Sequence, residues 1–109
     1  MPYVFVTSYL PYKKATESAK IWVNTLKEYN SQVRGLRKEL IPNAMKARKD
    51  HIEVVSVDDV EESNLAKFLQ IIQKYMTKYH DLGEGFGYTI EVRFKAVEAL
   101  EMIGMKMPE

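Results

Sequence analysis

The chain has two histidines, His51 and His80, and no cysteine. Disulfides, thiolate metal sites and thiol nucleophiles are therefore excluded. Proton transfer near neutral pH would fall to His80, close to the end of a predicted helix, or to Glu91, if burial raised its pKa. Glu91 stands two residues from Arg93, so on a strand both side chains point to the same face. In that geometry the arginine fork can hold an anionic group while Glu91 serves as a base. The plainer account of the two is an ion pair. Thr7, Tyr9, Ser56 and Asn43 are the hydroxyl and amide groups expected to supply hydrogen bonds to the same space. His80 has an ordinary role open to it as well, stabilising a helix C-terminus when charged, and that structural role outweighs the catalytic one. His51 falls in a predicted hairpin turn and is expected to be exposed. No two His, Asp or Glu positions have the spacing of a metal site on one helix face, so neither metal nor cofactor is expected.

Two other motifs invite chemistry. Gly83-Glu-Gly-Phe-Gly87 has the look of a nucleotide loop, yet it follows a helix and opens a strand, the reverse of the order that aims helix amides at a phosphate. It reads as a cap and turn. Val4 to Leu10 is similar to the first RNA-contacting strand of an RNA recognition motif. The matching strand, His51 to Asp59, offers no aromatic for base stacking and carries three carboxylates that would repel phosphate, so nucleic acid is not an expected partner. Arg34, Arg37 and Lys38 read as a solvated loop.

Hydrophobic periodicity supplies the elements that must position these groups. Tyr3 to Leu10 is β-branched and aromatic and closed by Pro11, a strand with Val4, Val6 and Leu10 on one face and Tyr3, Phe5, Thr7 and Tyr9 on the other. From about Lys13 to Tyr29, the apolar positions Ala15, Ala19, Trp22, Val23, Leu26 and Tyr29 form one helical stripe. A hairpin follows, with strands near Leu40 to Arg48 and Ile52 to Val60 about the Lys49-Asp50-His51 turn. Pro42 assigns the first of them to a sheet edge. A second helix is expected after a cap at Ser63 or Asn64, with the stripe Leu65, Phe68, Leu69, Ile72, Tyr75, Met76 and Tyr79, ending near Asp81 with Gly83 as its C-terminal cap. Tyr88 to Phe94 alternates as a fourth strand, with Tyr88, Ile90, Val92 and Phe94 on the core face. Ala96 to Ile103 is a short third helix stopped by Gly104.

This order, strand, helix, strand, strand, helix, strand, is that of a single ferredoxin-like α+β domain with a four-stranded antiparallel sheet and both long helices on one face. The 109 residues, 46% hydrophobic and 28% charged with net charge +1, are those of an ordinary globular domain. No apolar run reaches the length of a membrane span and no signal peptide opens the chain, so a cytoplasmic protein with no membrane partner is expected.

The opening Tyr3-Val-Phe-Val-Thr7, the hairpin joined to Asp58-Asp-Val-Glu-Glu-Ser63, and Glu98-Ala-Leu-Glu-Met-Ile-Gly104 after the fourth strand together resemble the dimeric α/β-barrel superfamily, which includes antibiotic-biosynthesis-monooxygenase-like proteins. The resemblance implies a homodimer in which two sheets close face to face through Tyr3, Phe5 and Tyr9 and enclose a small-molecule site. It implies three functional classes: a ligand-binding barrel, a cofactor-independent monooxygenase or isomerase acting on a small anionic or aromatic substrate, or a structural or regulatory homodimer. Haem-degrading members use an asparagine on strand 1, a tryptophan on a strand and a histidine on the second helix; here only His80 has a counterpart.

Overall fold

The computed structural model describes residues 1–108. The elements are β1 (Tyr3–Pro11), α1 (Ala15–Val33), β2 (Lys38–Ala47), β3 (His51–Asp59), α2 (Glu62–Thr77), β4 (Gly87–Arg93) and α3 (Ala96–Met102). They form an α+β fold with an open four-stranded sheet in the order β2-β3-β1-β4, every neighbouring pair antiparallel.

Register divides the sheet into two faces. Val6 lies opposite Ser56 on β3 and Ile90 on β4. Val4, Val6 and Ile90 belong with Phe68 and Ile72 of α2 to one hydrophobic cluster, completed by Val33 at the end of α1 and by Val60. Side chains alternate along a strand, so Ser8, Val54, Ser56, Asp58 and Tyr88 share this helix-covered face. Tyr3, Phe5, Thr7 and Tyr9 lie on the open face with Val55, Val57, Glu91 and Arg93. The core therefore sits beneath α2 and above β1.

Several boundaries differ from expectation for local reasons. α1 runs on to Val33 through Asn30 and Ser31, residues that read as helix stops. The Ser31 hydroxyl bonds back to the Glu28 carbonyl, 3.0 Å away, and so accommodates itself within the helix. α2 starts at Glu62 with Glu61 as N-cap, and no side-chain hydrogen bond caps it, so neither Ser63 nor Asn64 has the expected role. After Thr77 the chain tightens into a 3-10 turn over Lys78–Leu82, which Gly83 closes at φ 76°. The loop beyond turns on Gly85, at φ +91°, where a Cβ would come within 2.7 Å of the Pro11 ring. β2 is an edge strand exposed along its whole length, with register shifts around Pro42 and with Asn43 at φ 44°. His51 opens β3 rather than lying in the turn, and its half-buried ring meets Tyr9 edge-on at 5.6 Å. Phe94, assigned to the core face, lies just beyond β4 and is exposed.

The largest departure concerns α1. Its apolar stripe predicts a face packed into the core, yet Trp22 is 42% and Val23 64% exposed. Helical periodicity registers an apolar face without registering what covers it. Here α2 has taken the central position, and the middle of α1 stands away from the sheet.

Candidate functional site

Between α1 and the β2–β3 half of the sheet runs a groove of about 800 Å³. That is within the range of roughly 300–1,000 Å³ typical of ligand pockets. Trp22, Val23 and Leu26 of α1 form one wall, while Val54 and Ser56 of β3 form the floor. Tyr79 and Phe86 lie along the α2 side, where their rings meet at 5.7 Å, tilted by 34°. Pro42, Asn43 and Met45 of the edge strand reach its mouth. A second hollow, of about 520 Å³, lies beside α3 and is acidic, with Glu62, Glu98 and Glu101 on its rim.

At the end of the groove where α1 finishes lies a charged cluster. Asp58 is only 2% exposed, and its carboxylate accepts from Arg37 Nη1 at 2.8 Å. The same nitrogen donates to Glu39 at 2.6 Å, and Nη2 donates to Asn30 Oδ1 at 3.3 Å. Burial pushes the Asp58 carboxyl up, and the Arg37 hydrogen bond and charge offset this only in part. Arg37 is pulled down by its own burial, but Asp58 outweighs that and leaves it raised. Tyr29 lies beneath the guanidinium, 5.5 Å from ring centroid to Cζ.

Burial, seconded by the Asp58 charge, raises Tyr29 to about 12. Tyr79 rises to about 12 through burial alone, and Tyr75 does so through burial with the Glu28 carboxylate close by. The Tyr75 hydroxyl makes no hydrogen bond of good geometry among the described residues. The phenolates of these three should appear only as pH approaches 12. All three pKa values are higher folded than in the unfolded chain, so the stability they contribute is complete below the ordinary value of about 10 and is lost as pH rises from there towards 12. Ultraviolet phenolate absorbance and circular dichroism should change together in that window, and Tyr79→Phe should remove its share of the absorbance change.

The site residues anticipated from sequence do not converge on one space. Ser56 and Asn43 line the groove. Thr7, Tyr9, Glu91 and Arg93 lie on the other side of the sheet. Thr7 is buried there, flanked by Val55 and Thr89. Glu91 and Arg93 pair with each other at 3.3 Å with side chains 47% and 58% exposed, and the guanidinium lies 4.5 Å over the Phe5 ring. In the single chain they border solvent rather than a pocket.

His80 lines neither space. Gln73 donates to the Tyr88 hydroxyl at 2.6 Å, which leaves the phenolic proton free for His80 Nε2 at 3.0 Å, and the two rings stack at 5.6 Å. That arrangement ties the turn after α2 to β4. Among the described residues no group of three or more His, Asp or Glu side chains could hold a metal ion, and no helix is long and apolar enough to cross a membrane.

Sequence reasoning missed Trp22, read as core, and the Arg37–Asp58 pair, read as a solvated loop and a helix approach. Strand parity held the signal for Asp58: counted on from Ile52, Val54 and Ser56, it falls on the covered face, where a carboxylate must find a cation.

No family model matches this chain, and no curated protein matches it. Among solved structures it is similar to the de novo designed protein Foldit4, with a TM-score of 0.56 at 10% identity over 86% of this chain and 97% of that one. The likeness is one of fold alone: a small α+β domain with a four-stranded antiparallel sheet.

Proposed function

We propose that this protein binds a small, largely apolar molecule in the groove between α1 and the β2–β3 half of the sheet. The observation that carries the reading is the exposure of Trp22 and Val23 on the wall of a cavity of about 800 Å³. A helix that only closed the core would bury these side chains, whereas a binding wall leaves them for a ligand to cover. Ser8 and Ser56 on the floor can orient a ligand by hydrogen bonds.

Trp22 is the one tryptophan in the chain, so its fluorescence reports the groove directly. Adding the uncharged probe phenylnaphthylamine should shift and quench that emission with saturable, one-to-one stoichiometry. Ala19→Phe, which projects a ring into the groove from the exposed side of α1, should weaken the probe at least about tenfold without lowering the melting temperature. Unchanged Trp22 emission at saturating probe would defeat the reading.

The open face supports a separate proposal, a homodimer. The connectivity and the two-layer arrangement favour a ferredoxin-like domain, and in a dimeric barrel two such faces close on each other. Tyr3 and Phe5 meet edge-on at 6.4 Å on a face that no helix covers, continued by Val55, Val57 and the exposed Ile41. Phe5→Asp should convert a dimer to a monomer by light scattering, because a charge would lie among apolar groups at the interface. A wild-type monomer at micromolar concentration would remove the barrel. Only in such a dimer would Thr7, Tyr9, Glu91 and Arg93 line an enclosed space, and the monooxygenase or isomerase alternative depends on it.

A further inference from the structure

The groove is electrically uneven along its length. Arg37, Glu39 and Asp58 are the charged side chains that line it, and they gather at one end, one cation against two carboxylates. The last turn of the 19-residue helix α1 opens on the same place with no basic residue in it, so the helix dipole adds partial negative charge there. Arg34 and Lys38, the nearest other cations in sequence, do not line the groove. Asp58 is held 2% exposed with its carboxyl pushed up by burial, a carboxylate that Arg37 leaves under-compensated.

The far end is different. Leu10, Ala15, Ala19 and Ile52 line it without any charge. Along α1 the distance from Ala15 to Asn30 is roughly 22 Å at the helical rise per residue. A ligand lying in this groove thus meets a long apolar surface and a single negative end.

Resting on the reading of the groove as a small-molecule site, we propose that its ligand is an elongated amphiphile with a cationic head, an amine or guanidine on an apolar body. The head sits against Asp58 and Glu39 beside Arg37, and the body lies along Trp22 and Leu26 towards Ala15. An anionic head would instead meet two carboxylates and the helix end, beside an arginine whose Nη1 already serves both carboxylates. A cation supplies the countercharge that the cluster lacks.

Dodecylamine, dodecanol and dodecanoate share one chain and differ only in the head. Titrated below micelle formation and followed by Trp22 fluorescence and calorimetry, the amine should bind on the order of tenfold more tightly than the alcohol, as one partly buried charge pair contributes, with dodecanoate weakest. The preference should fall in high salt while dodecanol affinity holds. Glu39→Gln, at an exposed position, should reduce the preference without changing the melting temperature, and Asp58→Asn should reduce it further. Equal affinity for the three heads, or tightest binding of dodecanoate, overturns the cationic head and leaves the groove as a binding site. Failure of all three to bind defeats the groove reading itself.

Discussion

Replacing Phe68 with alanine should remove about 3–5 kcal/mol of stability, as truncating a fully buried aromatic does. Phe68 is 0% exposed, and it packs in the cluster that joins α2 to Val4 and Val6 of β1. A domain of this size has in total only about 5–15 kcal/mol, so urea melts of Phe68→Ala should show a midpoint far below wild type. Val23→Ala makes the comparison. It removes an apolar side chain from the other helical stripe, but at 64% exposure it should change stability by about half a kcal/mol or less. Similar losses for the two would mean that α1 closes onto the sheet in solution and that the groove is filled by its own walls.

Arg37→Met should cost a comparable amount, about 3–5 kcal/mol, through a different mechanism. Removing the guanidinium leaves the Asp58 carboxylate buried with no cation to compensate it, the most damaging way to break such a pair. The pH dependence distinguishes this from simple loss of packing. Asp58 already has a folded pKa above its unfolded value, and without Arg37 it rises further. Between the unfolded and the folded pKa the folded variant holds a proton that the unfolded chain releases, so the penalty grows as pH rises above the ordinary carboxyl value of about 4 and shrinks as pH falls back towards it. The double variant carrying Arg37→Met and Asp58→Asn should recover much of the loss at neutral pH, and a double-mutant cycle measures the coupling. A loss independent of pH would assign the effect to the packing of the guanidinium over the Tyr29 ring.

These two sites were not equally legible in the sequence. The α2 stripe predicts Leu69 and Ile72, at its centre, as core because an amphipathic helix over a sheet has one way to bury its apolar face; Ile72 is buried, but Phe68 rather than Leu69 is the fully buried neighbour, and Leu69 lies half-buried at the edge of the cluster. The same periodicity in α1 misleads at Trp22 and Val23, since a stripe reads alike whether it meets a sheet or borders an empty groove. Arg37 and Asp58 are 21 residues apart and meet only through the return of β3 beside β2. No local pattern records that encounter. Glu91 and Arg93 do share one face, as their spacing requires, but parity gives a direction without saying whether a second surface faces it.

The C-terminal helix has a consequence for how the molecule opens. α3 is only seven residues long and buries none of its side chains fully, leaving Val97 and Met102 exposed along with Ile103 just beyond it. Its polar attachments are the Met1 ammonium on Glu98 at 2.7 Å and Lys95 on Asp59 at 2.7 Å, both at its first turn. A helix so short gains little from its own hydrogen bonds, and ion pairs of this kind add little more. It should therefore behave as a separate cooperative unit, melting and re-forming while the sheet stays intact. In hydrogen exchange its amides would be the first to take up deuterium, long before those of β1 and β3. Residues 105–108, all exposed, would already be open to proteases in the native protein.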